Sequence, residues 1–280
     1  MNVLRTLVLD DEVSLTVIDG TSLAREGKRL HGLNKAAASF FSRQLLFTAF
    51  LSACLKGEKG EVSLSVKGDG QVGNVSVSGN FDLHIRGSID QPAPDFDGED
   101  AKLCFANQGT LTIIRDDGYA RPFVGVCGSV EGDMDDNFSE YFAVSEQLPT
   151  FIKTQVDFDE NDEISFAGIV VMQPLPFASE KAVQTSKDKT LLSQALAVCK
   201  QRGVSTAAQE VYGASEEKIE LKKAIYRCNC SKHYLLRVLV SVGKPALDEI
   251  IKEEGAVKIH CHYCNKDYLF DQADVDKLFL

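Results

Sequence analysis

The sequence predicts an α+β chain in three parts: a mainly antiparallel N-terminal core domain over residues 1–176, a helical linker over 177–226, and a small cysteine-bearing module over 227–280. Apolar and polar residues alternate along most of the first part, which is typical of strands with one buried face. The second part is rich in Lys, Glu, Ser and Gln and spaces its Leu and Ala residues as amphipathic helices do. The third part carries two close pairs of cysteines.

The first part opens with alternating residues over 3–18, which predict two short strands. Thr21 or Ser22 is the predicted N-cap of a short helix that ends at Gly32. A longer helix over 34–56 is apolar on most of its faces, which predicts a helix inside the core.

The stretch over 61–89 changes to period two and predicts three strands in an antiparallel meander. Gly68–Gly73, between the first two strands, satisfies the pattern GxGxxG. In a dinucleotide site that pattern opens a helix, whereas here another strand follows, so we expect a hairpin turn.

The rest of the core domain is predicted to contain strands over 111–115, 123–130, 151–159 and 163–172. Between the second and third of these strands, Asp135 or Asp136 is the predicted N-cap of a helix that ends before Pro149. This helix has Phe138, Tyr141, Phe142 and Ser145 on one side.

The linker is predicted to contain one amphipathic helix from Leu191 to Cys199 and a second, highly charged helix over 214–226. It holds few large apolar residues, so its helices need a neighbouring surface for burial, and we expect low local stability there.

Composition and charge exclude several classes of function. The 280 residues are 44% apolar and 25% charged, which is typical of a globular protein. The net charge of −11 lies upstream of the cysteine module, because residues 226–280 carry 8 basic and 8 acidic residues. Nucleic acids and anionic membranes require clustered Lys and Arg, so we expect neither partner.

The start of the sequence lacks the basic head, apolar core and cleavage site of a secretory signal. The longest apolar run, over 45–55, is too short to span a bilayer. We therefore expect a cytoplasmic protein, whose eight cysteines serve as thiols or metal ligands and form no disulfide framework.

We expect no enzymatic activity. A hydrolase nucleophile needs a nearby histidine, and the first part holds only His31 and His84 and lacks a GxSxG motif. Four further cysteines lie in apolar patterns without paired spacing, which is typical of buried thiols. These are Cys54, Cys104, Cys127 and Cys199.

The paired cysteines predict a metal site. Cys228 and Cys230 form a CxC pair, Cys261 and Cys264 form a CxxC pair, and thirty residues separate the pairs. This spacing is typical of a tetrahedral Cys₄ zinc site. The two histidines beside Cys261 could replace a thiol, but the sulfur set is already complete, so we expect them to be exposed or to support the ligands. They are His260 and His262.

The CxC pair adds a chemical possibility. Residues i and i+2 of an extended chain point to the same face about 6.5 Å apart, at the upper limit for a disulfide. Each pair can therefore bind zinc together or close on itself. Oxidation of one thiolate to sulfenic acid would be resolved by its neighbour as a disulfide, which removes two ligands at once. The spacing permits a redox switch, but on spacing alone a permanent structural zinc site is the favoured interpretation.

The C-terminal motif, with the residues that follow it over 265–270, resembles the zinc module of the heat shock protein 33 family of redox-regulated holdase chaperones. Further matches occur upstream in the family's order. They are Lys67–Gly70, Val130–Asp133, Tyr141–Phe142, Ser145–Thr150 and Val171–Pro174.

The resemblance implies an ATP-independent chaperone that is inactive while reduced and zinc-bound. It implies that oxidation pairs Cys228 with Cys230 and Cys261 with Cys264, ejects zinc and loosens the linker. Homodimers would then hold unfolding client proteins against aggregation. The alternative is an interaction or adaptor protein with a purely structural Cys₄ zinc site.

Overall fold

The computed structural model describes residues 2–95, 102, 104–105, 108–119 and 121–279. It confirms the α+β class, with two mainly antiparallel sheets preceding the cysteine module. The chain forms two compact units, one ending at Tyr226 and one beginning at Arg227. The segment over 177–226 is thus part of the first unit, and its separate, metastable character stays a prediction.

The helices and strands of the first unit follow one another in three runs. The first is β1 (Val3–Val8), β2 (Val13–Asp19), α1 (Thr21–His31), α2 (Lys35–Ala53), β3 (Glu61–Gly68), β4 (Val75–Asn80) and β5 (His84–Ile89). The second is β6 (Gly109–Asp116), β7 (Phe123–Gly128), α3 (Met134–Tyr141), β8 (Phe151–Phe158) and β9 (Ile164–Pro174). The third is α4 (Glu180–Lys187), α5 (Lys189–Arg202), α6 (Val204–Tyr212), β10 (Glu220–Lys222) and β11 (Ile225–Tyr226).

Helix α2 lies between the two sheets of this unit. The five-stranded sheet has the order β10-β1-β2-β9-β8, and the six-stranded sheet has the order β11-β5-β4-β3-β6-β7. Helix α2 contacts β3, β4 and β5 on one side and β2, β8 and β9 on the other. Its aromatic side chains, such as Phe40 and Phe47, are fully buried, which confirms the predicted core helix. Across the described residues, no helix has the length and apolarity needed to cross a membrane.

The five-stranded sheet is buried on both faces. Ile169 and Val171 of β9 pack into the core around α2. Phe166, Val170 and Met172 of the same strand pack with side chains of α4, α5 and α6. Because successive side chains of a strand point to opposite faces, these helices must cover the face of the sheet that α2 does not. The predicted helical segment therefore obtains its burial from this sheet.

The charged helix predicted over 214–226 is wrong. Helix α6 ends at Tyr212, and Gly213 follows it in the left-handed region with φ of +67°. Residues 220–222 instead pair with β1 as β10, and β11 pairs with β5 in parallel. Ala224, between them, donates its N–H to the side chain of Asn2 at 2.9 Å. Pairing with sheet edges far away in sequence overrides the local preference for helix.

The N-cap predicted for α1 is also wrong, because Thr21 is already helical and Gly20 precedes it. Asp19 supplies the capping oxygen from one residue further back. Its carboxylate accepts hydrogen bonds from the backbone N–H of Thr21 at 3.0 Å and from the Thr21 hydroxyl at 2.6 Å. The end of the helix at Gly32, with φ of +60°, is confirmed.

Helix α3 is capped by Asp133, and the prediction of Asp135 or Asp136 is wrong. The Asp133 carboxylate accepts from the Asp136 N–H at 3.1 Å, while Asp136 returns a bond to the Asp133 N–H, which completes a capping box. Asp135 is buried and accepts from the N–H and hydroxyl of Thr154 on β8, at 3.0 and 2.5 Å. One carboxylate thus starts the helix while its neighbour joins the helix to the sheet.

Replacement of Asp133 by alanine is expected to destabilise the first unit by about 0.5–2 kcal/mol, because it leaves helix N–H groups without an acceptor. Asp133→Asn keeps a capping oxygen and should stay close to wild type, since the 3.6 Å ion pair with Lys153 is partly solvated and contributes little. Urea unfolding of both variants measures the difference. If Asp133→Asn loses as much stability as Asp133→Ala, the carboxylate charge explains the effect, and the capping role is contradicted.

The GxGxxG segment is the hairpin turn that the sequence predicts. It connects β3 and β4, which pair antiparallel from Glu61↔Asn80 to Val66↔Val75. Gly73 has φ of +67°, a conformation that glycine adopts without strain. The Gly70 N–H donates to the carbonyl of Cys104 at 2.8 Å. These glycines therefore shape a turn between two strands.

Candidate metal centre

The second unit has a small apolar core. Its elements are α7 (Lys232–Leu239), α8 (Lys244–Glu254), β12 (Val257–Cys261), β13 (Lys266–Phe270) and α9 (Gln272–Leu278). Its buried apolar side chains pack together in one cluster, Leu239, Leu247, Val257, Phe270 and Val275. A unit of this size has a core that supplies little stability, and natural domains this small are often stabilised by a metal or by disulfides.

The hairpin of β12 and β13 joins this core to the second cysteine pair. Its register places Val257 opposite Phe270 and Ile259 opposite Tyr268. Alternate residues share one face of a strand, so the inward face runs from the core at Phe270 to Cys261 at the end of β12. The cysteine is thereby fixed by the packing of its own strand.

The turn after β12 brings Cys264 back toward Cys261. The N–H groups of Cys264 and Asn265 both donate to the Cys261 carbonyl, at 3.3 and 2.8 Å. Asn265 has φ of +54°, in the left-handed region that asparagine tolerates better than most residues. This tight turn aims two sulfurs to the same side.

The first pair lies in an extended segment before α7. Cys228 and Cys230 are half-buried, while Asn229 between them is exposed, as expected for i and i+2 residues of an extended chain. The segment ends at Ser231, whose hydroxyl accepts from the Tyr234 N–H at 3.1 Å and caps α7. The capped start of α7 therefore holds the end of the extended segment that carries Cys228 and Cys230.

The four sulfurs of these two pairs lie within 4.8 Å of one another. The Sγ atoms of Cys228 and Cys261 are 3.7 Å apart, and those of Cys230 and Cys264 are 3.1 Å apart. Zinc binds thiolates at about 2.3 Å, so the sulfurs of a tetrahedral site lie about 3.8 Å apart. An all-sulfur donor set at this spacing fits zinc. The cluster can hold a metal ion, and the assignment of these cysteines as ligands stays a prediction.

The sulfur environments differ. Burial raises the pKa of Cys228 to about 11 and raises that of Cys264 as well. At Cys230 burial also acts to raise the pKa, but hydrogen bonds from Tyr268 and from neighbouring thiols bring it down to about 7. Four adjacent thiolates repel one another, so the fully ionised set requires a cation.

The histidines beside Cys261 lie outside the sulfur cluster. His260 and His262 are exposed, and their ring centroids are 5.0 Å apart. The Nδ1 atom of His260 is 2.7 Å from a carboxylate oxygen of Asp267 on the neighbouring strand. The group that the structure brings together is thus composed of sulfur, without either imidazole.

The remaining cysteines lie in the first unit. Cys104, Cys127 and Cys199 are buried, as predicted, whereas Cys54 is half-buried. Burial raises the pKa of Cys104 and of Cys199 to about 12. These two thiols stay protonated at neutral pH and are poor nucleophiles.

Sequence reasoning missed the part played by Tyr268. Its phenol oxygen lies 3.2 Å from the Cys230 sulfur. The available signal was its position two residues before Phe270, which places both rings on one face of β13. The loop carrying Cys230 cannot be placed against that face from spacing alone.

Comparisons with known proteins agree over almost the whole chain. The family model described as Hsp33 protein matches residues 2–271. The 33 kDa chaperonin of Bacillus cytotoxicus is 30% identical over 98% of this chain and 97% of its own length. The 33 kDa chaperonin of Bacillus cereus strain G9842 is 29% identical over the same shares.

A solved structure is similar in fold. The crystal structure of the 33 kDa chaperonin, a heat shock protein 33 homologue from Thermotoga maritima, superposes with a TM-score of 0.73. The match covers 99% of this chain and 96% of that chain at 22% sequence identity.

Proposed function

The chain belongs to the Hsp33 family, and from that premise we propose that it is a redox-regulated, ATP-independent holdase of the cytoplasm with no enzymatic activity. In the proposed resting state, Cys228, Cys230, Cys261 and Cys264 bind one zinc ion and the protein is inactive. One observation carries this proposal: four sulfurs converge within 4.8 Å in a unit whose buried apolar core is small.

The second unit depends on those four cysteines for its fold. Bound zinc supplies the positive charge that keeps four thiolates together, and metal binding contributes about 10–16 kcal/mol to folding of such modules. Whole domains are stable by only about 5–15 kcal/mol. Loss or severe weakening of metal binding should therefore unfold residues 227–280.

Oxidation removes ligands in pairs. A cysteine thiolate attacks one oxygen of a peroxide, which breaks the O–O bond and leaves a sulfenic acid and hydroxide. A neighbouring thiol then attacks the sulfenic sulfur, forms a disulfide and releases water. Both electrons lost by the two sulfurs reduce the peroxide.

We propose the local pairing, Cys228 with Cys230 and Cys261 with Cys264. In the folded unit two close sulfur contacts, at 3.7 and 3.1 Å, instead cross between the pairs and join residues 33 and 34 positions apart. Once the unit loosens, closing so long a loop costs more entropy than closing one between near neighbours. The disulfides that form therefore also report the order of events. Local disulfides indicate that the unit unfolds before the second bond forms, and disulfides between the pairs indicate that both bonds form in the folded unit.

The cover formed by α4, α5 and α6 is the proposed metastable segment. Much of its buried surface comes from small side chains, such as Ala195, Ala207 and Ala208. Beneath it lies an apolar sheet face that includes Phe166 and Met172. Chain continuity links the cover to the metal centre, because β11 ends two residues before Cys228. Loss of the second unit would free the end of β11. We propose that β10 and β11 then detach from the sheets with which they pair, which allows the cover to loosen.

The exposed surfaces would then bind the proposed partners. Apolar side chains from the cover and from the sheet face would form a contiguous patch, which unfolding client proteins can occupy. We propose that the active form is a homodimer. The net charge of −11 supports the absence of nucleic-acid or membrane partners from this function.

Treatment of the reduced, zinc-loaded protein with hydrogen peroxide at mildly elevated temperature tests the proposal. We expect zinc to appear in a coloured chelator, four of the eight free thiols to disappear, and light scattering of a thermally aggregating client to fall. Peptide mapping should show the two local disulfides. Metal that stays bound, with the fold intact and the client aggregating, would favour an adaptor protein with a structural zinc site.

A further inference from the structure

Tyr268 holds a phenol group at the boundary between the apolar core of the second unit and the sulfur cluster. Its ring is half-buried and packs against that core. Its backbone is fixed on β13 opposite Ile259. The oxygen lies 3.2 Å from the Cys230 sulfur, which is a hydrogen-bond distance for an O–H and a sulfur. Strand register and packing together aim this hydroxyl at one of the four cysteines.

The direction of the hydrogen bond follows from the chemistry of a metal-bound thiolate. Such a sulfur carries no proton, so the phenol O–H must be the donor. A bond donated to an anion is stronger than a bond between neutral groups, and it draws electron density away from the sulfur. A sulfur with less electron density is a weaker nucleophile toward peroxides and alkylating agents. Groups that hydrogen-bond to metal ligands also fix their orientation.

We propose that Tyr268 is a positioning residue of the metal centre, which holds the Cys230 sulfur in place and lowers its reactivity as a thiolate. This role rests on the proposed function, because it requires Cys230 to be a metal-bound thiolate. This lowered reactivity favours first reaction of peroxide at another cysteine. If that cysteine is Cys228, the Cys230 thiolate attacks its sulfenic sulfur, which forms the disulfide and expels hydroxide.

The matched test variants are Tyr268→Phe and Tyr234→Phe. The first removes the hydroxyl and keeps the ring that packs on the core. The second removes a phenol hydroxyl from an exposed ring on α7 of the same unit. Both proteins are reduced, loaded with zinc, checked for metal content and treated with iodoacetamide. Mass spectrometry then gives an alkylation rate for each cysteine.

In Tyr268→Phe we expect alkylation of Cys230 to accelerate several-fold relative to the other three metal-site cysteines. Competition with a chelator should show zinc affinity lowered by about tenfold. In Tyr234→Phe both quantities should match wild type. An unchanged rate at Cys230 would overturn the proposal, and so would an equal acceleration at all four cysteines, because that pattern indicates loosened packing.

The absorption spectrum of the cobalt(II)-loaded protein reports the electron density on the sulfurs, which a change in packing alone would not alter. The sulfur-to-cobalt charge-transfer band should shift to lower energy in Tyr268→Phe, since the sulfur has regained electron density. If Tyr268→Phe does not fold, wild-type chain containing 3-fluorotyrosine should show the opposite shift, because its phenol is a stronger donor. An unmoved band would overturn the role of Tyr268. A wild-type protein that binds no metal would overturn the metal assignment and this role together.

Discussion

Replacing Leu196 with alanine is expected to switch on client holding in the fully reduced, zinc-loaded protein. Leu196 lies on α5, is 1% exposed and packs against the five-stranded sheet with the other buried residues of the cover. Removing such a side chain costs about 2–5 kcal/mol. Because the cover buries few other large side chains, that loss should free it without any change at the metal centre.

Two measurements check this result. Hydrogen exchange over 180–212 should accelerate while exchange in α2 stays slow, and light scattering should show suppressed client aggregation without oxidant. Leu64→Ala is the matched control, because Leu64 is also 1% exposed but lies in the core around α2. If both variants suppress aggregation equally, general destabilisation explains the effect. If Leu196→Ala loosens the helices but does not suppress aggregation, the surface under the cover does not bind clients.

Replacing Cys264 with serine is expected to unfold the second unit even in reducing buffer with zinc present. Cys264 is the buried member of the four, and serine offers no thiolate in its place. The remaining apolar core cannot supply the roughly 10–16 kcal/mol that metal binding contributes to modules of this kind. The first unit, with its own core, should keep its fold.

Proton NMR of wild type, Cys264→Ser and Cys54→Ser measures this effect. Cys54 lies in the first unit, so its variant should keep all signals of residues 227–280. Dispersed signals from that region in Cys264→Ser would contradict a metal-dependent fold.

Local patterns predicted most of the first unit. Period-two alternation located the strands, and an all-apolar stretch located α2. The predicted N-caps were wrong because several neighbouring residues can each cap a helix. Asp133, Asp135 and Asp136 are equally able to cap α3, and only the position of Thr154 shows that Asp135 bonds to the sheet instead. Strand β10 was missed because its partner Arg5 is over two hundred residues away and no local pattern reports the pairing of Arg5 with Glu220.

The convergence of the four sulfurs was more predictable than the helix caps, while their role as metal ligands stays a prediction. Cysteine spacing constrains which sulfurs can converge, so the four that meet are the four expected. Tyr268 was not predictable, because its hydrogen bond depends on the hairpin register and on where α7 begins. Those are properties of the packed unit, and spacing within either cysteine pair does not contain them.

The most direct measurement is hydrogen exchange of the reduced protein before and after a strong chelator has removed its metal. If four thiolates and one metal ion hold the second unit together, residues 227–280 should exchange at the rates of an unfolded chain after metal removal, while β3, β4 and α2 stay protected. Unchanged protection over residues 227–280 in metal-free protein would contradict the central role of the metal.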